Sequence, residues 1–293
     1  MSDRRPDPPR PAVGSRSDPV FEATVSDGVC RLLRPGTRFL STGFEGGRRV
    51  ADAAYNVTVP EGFDARDLRA YVAGRLDRAG FDGSVGPDAA PALLTGVDQT
   101  HARIARRGPV AVLATAGLSN PAALPVERVG GDTIDPHPDE SDGFARTTAG
   151  DQHHAGTVNL VAGTTRSLAD GALANLLTVV AEAKAATLLA LTGFPGTTSD
   201  AVVVADDPDG ELATFSGSAT PVGRATRVCV RDAIAASLRS RYGDESGELT
   251  GSEASTGTED GIPTAVADAE HGVVTDGRAT VTSIPEADGD RPL

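Results

Sequence analysis

Residues 158–205 read VNLVAGTTRSLADGALANLLTVVAEAKAATLLALTGFPGTTSDAVVVA. Two runs rich in β-branched residues, Val158–Val161 and Ala201–Ala205, read as buried strands, and between them Leu168–Leu191 repeats apolar side chains at helical spacing. A strand, a long apolar helix and a second strand need cover on both faces, so this stretch belongs to a layered fold. Working outward, Val20–Val25, Arg38–Ser41, Ala53–Val59, Val110–Ala114 and Leu212–Phe215 read as further strands. Ala65–Ala79 and Val222–Arg241 read as helices, with a shorter one near Pro91–Val97. The mix predicts one α/β or α+β layered domain with a mixed sheet, whose strand order the pattern does not specify.

The chain has 293 residues, 39% of them hydrophobic, enough for a full core. Its net charge of −14 is unevenly spread. Residues 243–293 carry twelve acidic and two basic side chains, and residues 128–155 carry six and two, so the rest is nearly neutral. Residues 1–18 and 243–293 lack sustained apolar periodicity and are expected to be disordered tails; 128–155 reads as an acidic surface insertion in a domain spanning 19–242. Acidic tails and arginine in place of lysine suit a salty cytoplasm, where screening is strong and charge keeps chains soluble. No basic stripe with interleaved aromatics marks a nucleic-acid partner. Neither a signal peptide nor a membrane span is expected, which predicts a cytoplasmic protein. Oligomeric state is not legible. Cys30 and Cys229 are far apart and read as buried thiols. Four of the five histidines fall in the insertion and the tail, and His101 in what reads as an exposed segment, so no metal site is expected.

Polar residues interrupt the apolar runs in five places. These are Leu40-Ser-Thr-Gly-Phe-Glu-Gly-Gly47, followed by Asn56; Thr115-Ala-Gly-Leu-Ser-Asn-Pro121; Gly156-Thr-Val-Asn-Leu-Val161; Glu182-Ala-Lys184; and Thr192-Gly-Phe-Pro-Gly-Thr-Thr-Ser-Asp200. Lys184 is the chain's only lysine, and it falls within the stripe Leu173, Leu177, Val180, Leu188 and Leu191. An ammonium on an apolar face is paired or has a lowered pKa, serving as a positioned cation or base, or else as a snorkelling or ion-paired structural group. Glu182, about 200° round the helix from Lys184, lines up with Asn175 and Thr178. Because the helix is apolar on both sides, Glu182 is expected to be buried, as a catalytic or a hydrogen-bonded structural carboxylate. Ser167 and Asp170 fit a capping arrangement. Asp200 closes a Gly/Thr loop and opens a strand, where side chains enter the crevice at a sheet edge. The loop lacks a P-loop's G-K-[ST], although its amides suit an oxyanion nest. Thr197, Thr198 and Ser199 are either nucleophiles or plain turn residues.

The ordered set of motifs resembles the adenosylcobinamide amidohydrolase family, whose members carry a similar T-A-G-L-S-N segment, G-T-I-N strand, E-A-K helix and T-G-T-x-T-D loop. The likeness runs from about Phe39 to Arg239; the family's histidine-bearing segment appears as Phe215-Ser-Gly-Ser-Ala-Thr-Pro-Val-Gly-Arg224, without histidine. The resemblance implies hydrolysis of adenosylcobinamide to adenosylcobyric acid and an aminopropanol, with Glu182, Lys184 and Asp200 as catalytic candidates. It implies a corrinoid substrate that brings its own cobalt, and no further cofactor. The primary amides fringing a corrin ring want paired donors and acceptors, so Asn56, Thr115, Ser119, Asn120, Asn159 and Thr198 are expected at the substrate. The rival readings are a module that binds corrinoid without cutting it, and an amidohydrolase or nucleotide-handling enzyme of another substrate class.

Overall fold

The computed structural model describes residues 19–81, 89–124, 126–127, 133–134, 156–243 and 273–274. In chain order the elements are β1 (Glu22–Ser26), β2 (Val29–Ser41), β3 (Gly47–Thr58), α1 (Leu68–Arg78), β4 (Ala92–Thr95), a 3-10 turn (Gln99–His101), β5 (Arg103–Arg107), β6 (Val110–Ala116), β7 (Pro121–Ala123), β8 (Val126–Glu127) and β9 (Thr133–Ile134). They continue with β10 (Val158–Thr164), β11 (Ser167–Leu168), α2 (Asp170–Thr192), β12 (Gly196–Thr197), β13 (Ala201–Asp206), β14 (Leu212–Ala213), α3 (Pro221–Tyr242) and β15 (Val273–Val274).

The main sheet runs β4-β3-β2-β13-β10-β6-β5, with β1 also on β2. The pairs β3/β4 and β10/β13 are parallel and the others antiparallel, so this is a mixed α/β sheet. The sheet is not flat. Four strand spacings separate β3 from β6, about 19 Å at the usual ~4.8 Å each, yet Asn56 Nδ2 on β3 donates to Thr115 Oγ1 on β6 at 3.0 Å. The long β2–β3 hairpin therefore curls over the inner face. Its bend sits at a register shift between Leu33 and Thr37, where Gly36 takes φ +68° and donates its N–H to Asp52 Oδ1 at 2.8 Å.

Alternation along the strands sorts side chains into two layers. Phe39, Ala54, Leu93, Leu113, Val161 and Val203 fill the inside of the curl. Val112, Ala114, Val158, Leu160, Val202 and Val204 face out against α2 and α3. The same hairpin turns its other face to α1 through Tyr55, Val57, Val72 and Leu76.

Several expectations change. Pro91–Val97 holds a strand, β4, because a short apolar run does not distinguish helix from strand and parallel pairing with β3 decides. The segment around Arg103–Arg107 is an edge strand whose arginines keep it soluble, and β2 begins nine residues earlier than Arg38. Ser167 does not cap α2: Ala169 holds the cap position without a side-chain bond, while Asp170 in the first turn pairs with Arg48 at 2.9 Å. By length and composition α2 is apolar enough to cross a bilayer, contrary to expectation, but Leu173, Leu176, Val180 and Leu188 lie in the core. Both cysteines are buried and unpaired, and burial pushes each thiol up to about 11. The expected tails and insertion lie almost wholly outside the described residues. Within them, Thr133–Ile134 pairs with β8 and Val273–Val274 pairs with β7.

One buried ion pair ties three elements. Asp206, at the end of β13, is 0% exposed. It accepts from Arg38 Nε at 3.0 Å, from Arg38 Nη2, and from Leu168 N at 2.6 Å. Arg38→Met would strand that carboxylate, and we expect it to cost about 3–5 kcal/mol, read as a lowered denaturant midpoint in high salt.

Candidate active site

The ends of β6, β10 and β13 and the β2–β3 turn meet along one rim. Thr42 bonds Val202 in both directions, through its N–H to Val202 O and its Oγ1 from Val202 N, each at 2.9 Å. Gly117 N donates to Thr157 O at 3.1 Å, and Thr198 N to Asn120 O at 3.1 Å. Four of the five polar clusters thus converge, and the fifth supplies Lys184 from α2.

Asp200 organises the centre. Its carboxylate accepts from Val158 N at 2.9 Å, Thr197 N at 3.0 Å, Thr197 Oγ1 and Lys184 Nζ. The lysine and aspartate side chains are only 13% and 9% exposed. Lys184 is therefore paired, as its apolar setting requires. A methyl group at Gly196 would come within 2.6 Å of Asp200 Oδ2 and 2.9 Å of Lys184 Nζ, so a larger residue there would have to displace one member of the pair. Beside it, Thr197 is buried while Thr198 and Ser199 are exposed. Asn120 Nδ2 donates to Thr198 Oγ1 at 2.6 Å, and Ser199 Oγ lies 2.8 Å from Thr157 Oγ1. Ser119 is half-buried, with its Oγ over Gly156.

The remaining candidates lie elsewhere. Asn56, Thr115 and Asn159 are buried on the inner face and bonded to one another: Asn159 Nδ2 donates to Asn56 Oδ1 and to Leu94 O, each at 2.9 Å. Asn56 Nδ2 also reaches Gln99 Oε1 at 3.4 Å. Strand alternation places Ala201, Val203 and Ala205 with this inner layer and Asp200 on the helix side, so the two polar groups occupy opposite faces of one sheet. Glu182 corrects the expectation of burial. Its side chain is 57% exposed on the α2 face shared with Asn175 and Thr178, and its charged partner is Arg227 at 3.7 Å. That face carries these polar side chains and is open to solvent. His101 is half-buried in the 3-10 turn, with Nδ1 3.1 Å from Ser240 Oγ.

Two groups escaped the sequence reading. Ser237 Oγ accepts from Ala116 N, and Tyr242 Oη accepts from Leu118 N, both at 3.0 Å. Hydroxyls on α3 carry no positional signal, since serine and tyrosine near a helix end are ordinary. Among the described residues no group of three or more His, Cys, Asp or Glu side chains gathers as a metal would need.

A family model described as adenosylcobinamide amidohydrolase matches residues 15–246. The chain belongs to that family. It is also 53% identical over 264 residues to an adenosylcobinamide amidohydrolase of Halobacterium salinarum, covering 89% of this chain and 99% of the relative. The family match reaches beyond the Phe39–Arg239 span of the motifs, taking in β1 and the end of α3. Membership makes the chain an amidohydrolase, and the pronounced acidity of the sequence accords with a relative from a halophile.

Gly196→Ala tests whether the rim depends on the pair it encloses. The variant should fold with a lower melting temperature and lose roughly tenfold or more in turnover, because either Lys184 or Asp200 must move.

Proposed function

We propose that this amidohydrolase cuts adenosylcobinamide at the amide joining the aminopropanol arm to the corrinoid, with the reaction at the Lys184–Asp200 rim. The observation that carries the placement is the four-donor carboxylate of Asp200, which holds a single lysine beside two exposed hydroxyl residues. Water adds to the amide carbon, the C–N bond breaks, and the proton balance leaves adenosylcobyric acid and the free amine.

Asp200 is a positioning residue in this reading, since its lone pairs are already engaged. The Lys184 ammonium supplies fixed positive charge for the oxygen of the tetrahedral intermediate, in a site sheltered enough for that charge to count. Ser119, Asn120 and Thr198 contact the substrate. Asn120 Oδ1 is buried without a hydrogen-bond partner among the described residues, so a substrate N–H gains a bond there once the rim opens to admit it. Asn56, Thr115 and Asn159 brace the strands that carry the rim. Glu182, exposed and turned away, takes no part in the chemistry. A cytoplasmic location is part of the proposal, supported by the packing of α2 within the domain.

Lys184→Met leaves Asp200 with three donors, so the fold should persist. Turnover should fall roughly a hundredfold or more, measured as aminopropanol released from adenosylcobinamide by mass spectrometry, with a thermal melt on the same sample. Glu182→Gln should retain near-wild-type turnover. An active Lys184→Met would remove the rim from the mechanism, and tight binding of adenosylcobinamide by the wild-type chain without any release would leave only a corrinoid-binding role.

Exhaustive treatment with a chelator should leave turnover intact, because the described residues offer no ligand cluster. Loss that zinc or cobalt restores would point to a site assembled from other parts of the chain.

A further inference from the structure

The edge of β6 next to β5 is incomplete where the rim begins. Pairing with β5 ends at Ala114 opposite Arg103, whereas β6 runs on to Ala116 and the chain continues through Gly117 and Leu118 before it bends at Ser119. Successive N–H groups of an extended chain point to opposite sides. Gly117 N turns towards β10 and finds Thr157 O; Ala116 N and Leu118 N turn the other way, where no strand remains among the described residues. The last turns of α3 fill the gap. Ser237 Oγ takes the first N–H and Tyr242 Oη the second, two side chains standing in for a strand.

This end of α3 is itself held in place. Ser240 Oγ lies 3.1 Å from His101 Nδ1 and accepts from Arg103 Nη2, and the Arg241 guanidinium lies 5.5 Å from the centre of the Tyr242 ring. The Tyr242 hydroxyl is thus presented from a fixed point. Two residues beyond Leu118 stands Asn120, whose carbonyl and carboxamide both bind Thr198.

We propose that Tyr242 is a positioning residue for the reaction: its hydroxyl sets the Leu118–Asn120 backbone and through Asn120 the Thr198–Ser199 hydroxyls. The proposal rests on the reading that the 196–200 loop is the reacting rim. Ser237 acts on Ala116, which lies within β6 and whose neighbour Gly117 is bonded to Thr157 beside β10, so its contribution is to stability alone.

Tyr242→Phe removes one oxygen and keeps the ring. In the full-length chain at high salt, kcat for aminopropanol release should fall roughly tenfold to a hundredfold with a smaller change in KM, since a reacting group is misplaced while most substrate contacts remain. Ser237→Ala should lower the melting temperature yet keep turnover per folded molecule. Hydrogen exchange should quicken in peptides covering 117–121 and 196–200 of Tyr242→Phe, and not elsewhere. Combining Tyr242→Phe with Asn120→Ala should add little to the loss from Asn120→Ala, because both act along one path. Turnover of Tyr242→Phe within twofold of wild type per folded molecule, additive losses in the double variant, or unchanged exchange at 196–200 would each overturn the proposal. If Lys184→Met is inactive in the same assay while Tyr242→Phe is not, the rim stands and only the role of Tyr242 fails.

Discussion

Asp200 is the point through which the rim is held. One carboxylate accepts the first free N–H of β10, the N–H and hydroxyl of Thr197, and the only lysine of the chain. A charge so little exposed is tolerable only with such company, because each donor offsets part of the lost hydration. The same arrangement restrains the chain between α2 and β13, and Gly196 is the residue that leaves space for it. The loop proposed to meet the substrate is thereby fixed to the scaffold by side chains as well as by backbone.

The curl of the sheet explains how a small domain presents several polar segments together. The bulged β2–β3 hairpin swings Asn56 over to Thr115 and Asn159, and the three side chains with Gln99 close the inside of the curl at the strand ends. Such an internal network is worth its desolvation only when most members are satisfied. Here Asn159 Oδ1 is left without a partner among the described residues. The inner network and the ion pair lie back to back across β10 and β13. Strand positions one residue apart therefore serve different layers, Asn159 the inner one and Val158 the clamp.

Much of this was legible in the sequence, for physical reasons that can be named. The runs at 158–161 and 201–205 and the helix at 168–191 are signalled by local periodicity, and each corresponds to β10, β13 and α2. Lys184 was singled out by rarity and by its place in an apolar stripe, and it is indeed sheltered and paired. The five ordered clusters pointed to the family. Elsewhere the local pattern is ambiguous. Residues 91–97 are too short to separate helix from strand, and the strand read at Arg38–Ser41 begins at Val29 because a bulge between Leu33 and Thr37 interrupts its pattern.

What the sequence by itself determined is the set of elements, the family and the isolation of one cation, since these depend on neighbours within a few turns or on the order of motifs. Only the tertiary structure decided which carboxylate meets Lys184, that Glu182 faces solvent beside Arg227, that Asn56, Thr115 and Asn159 bind one another, and that Tyr242 completes the edge of β6. Each of those is a contact between elements. The exposure of a helix face or a carboxamide is set by what packs against it, and neither helical nor strand periodicity carries that information.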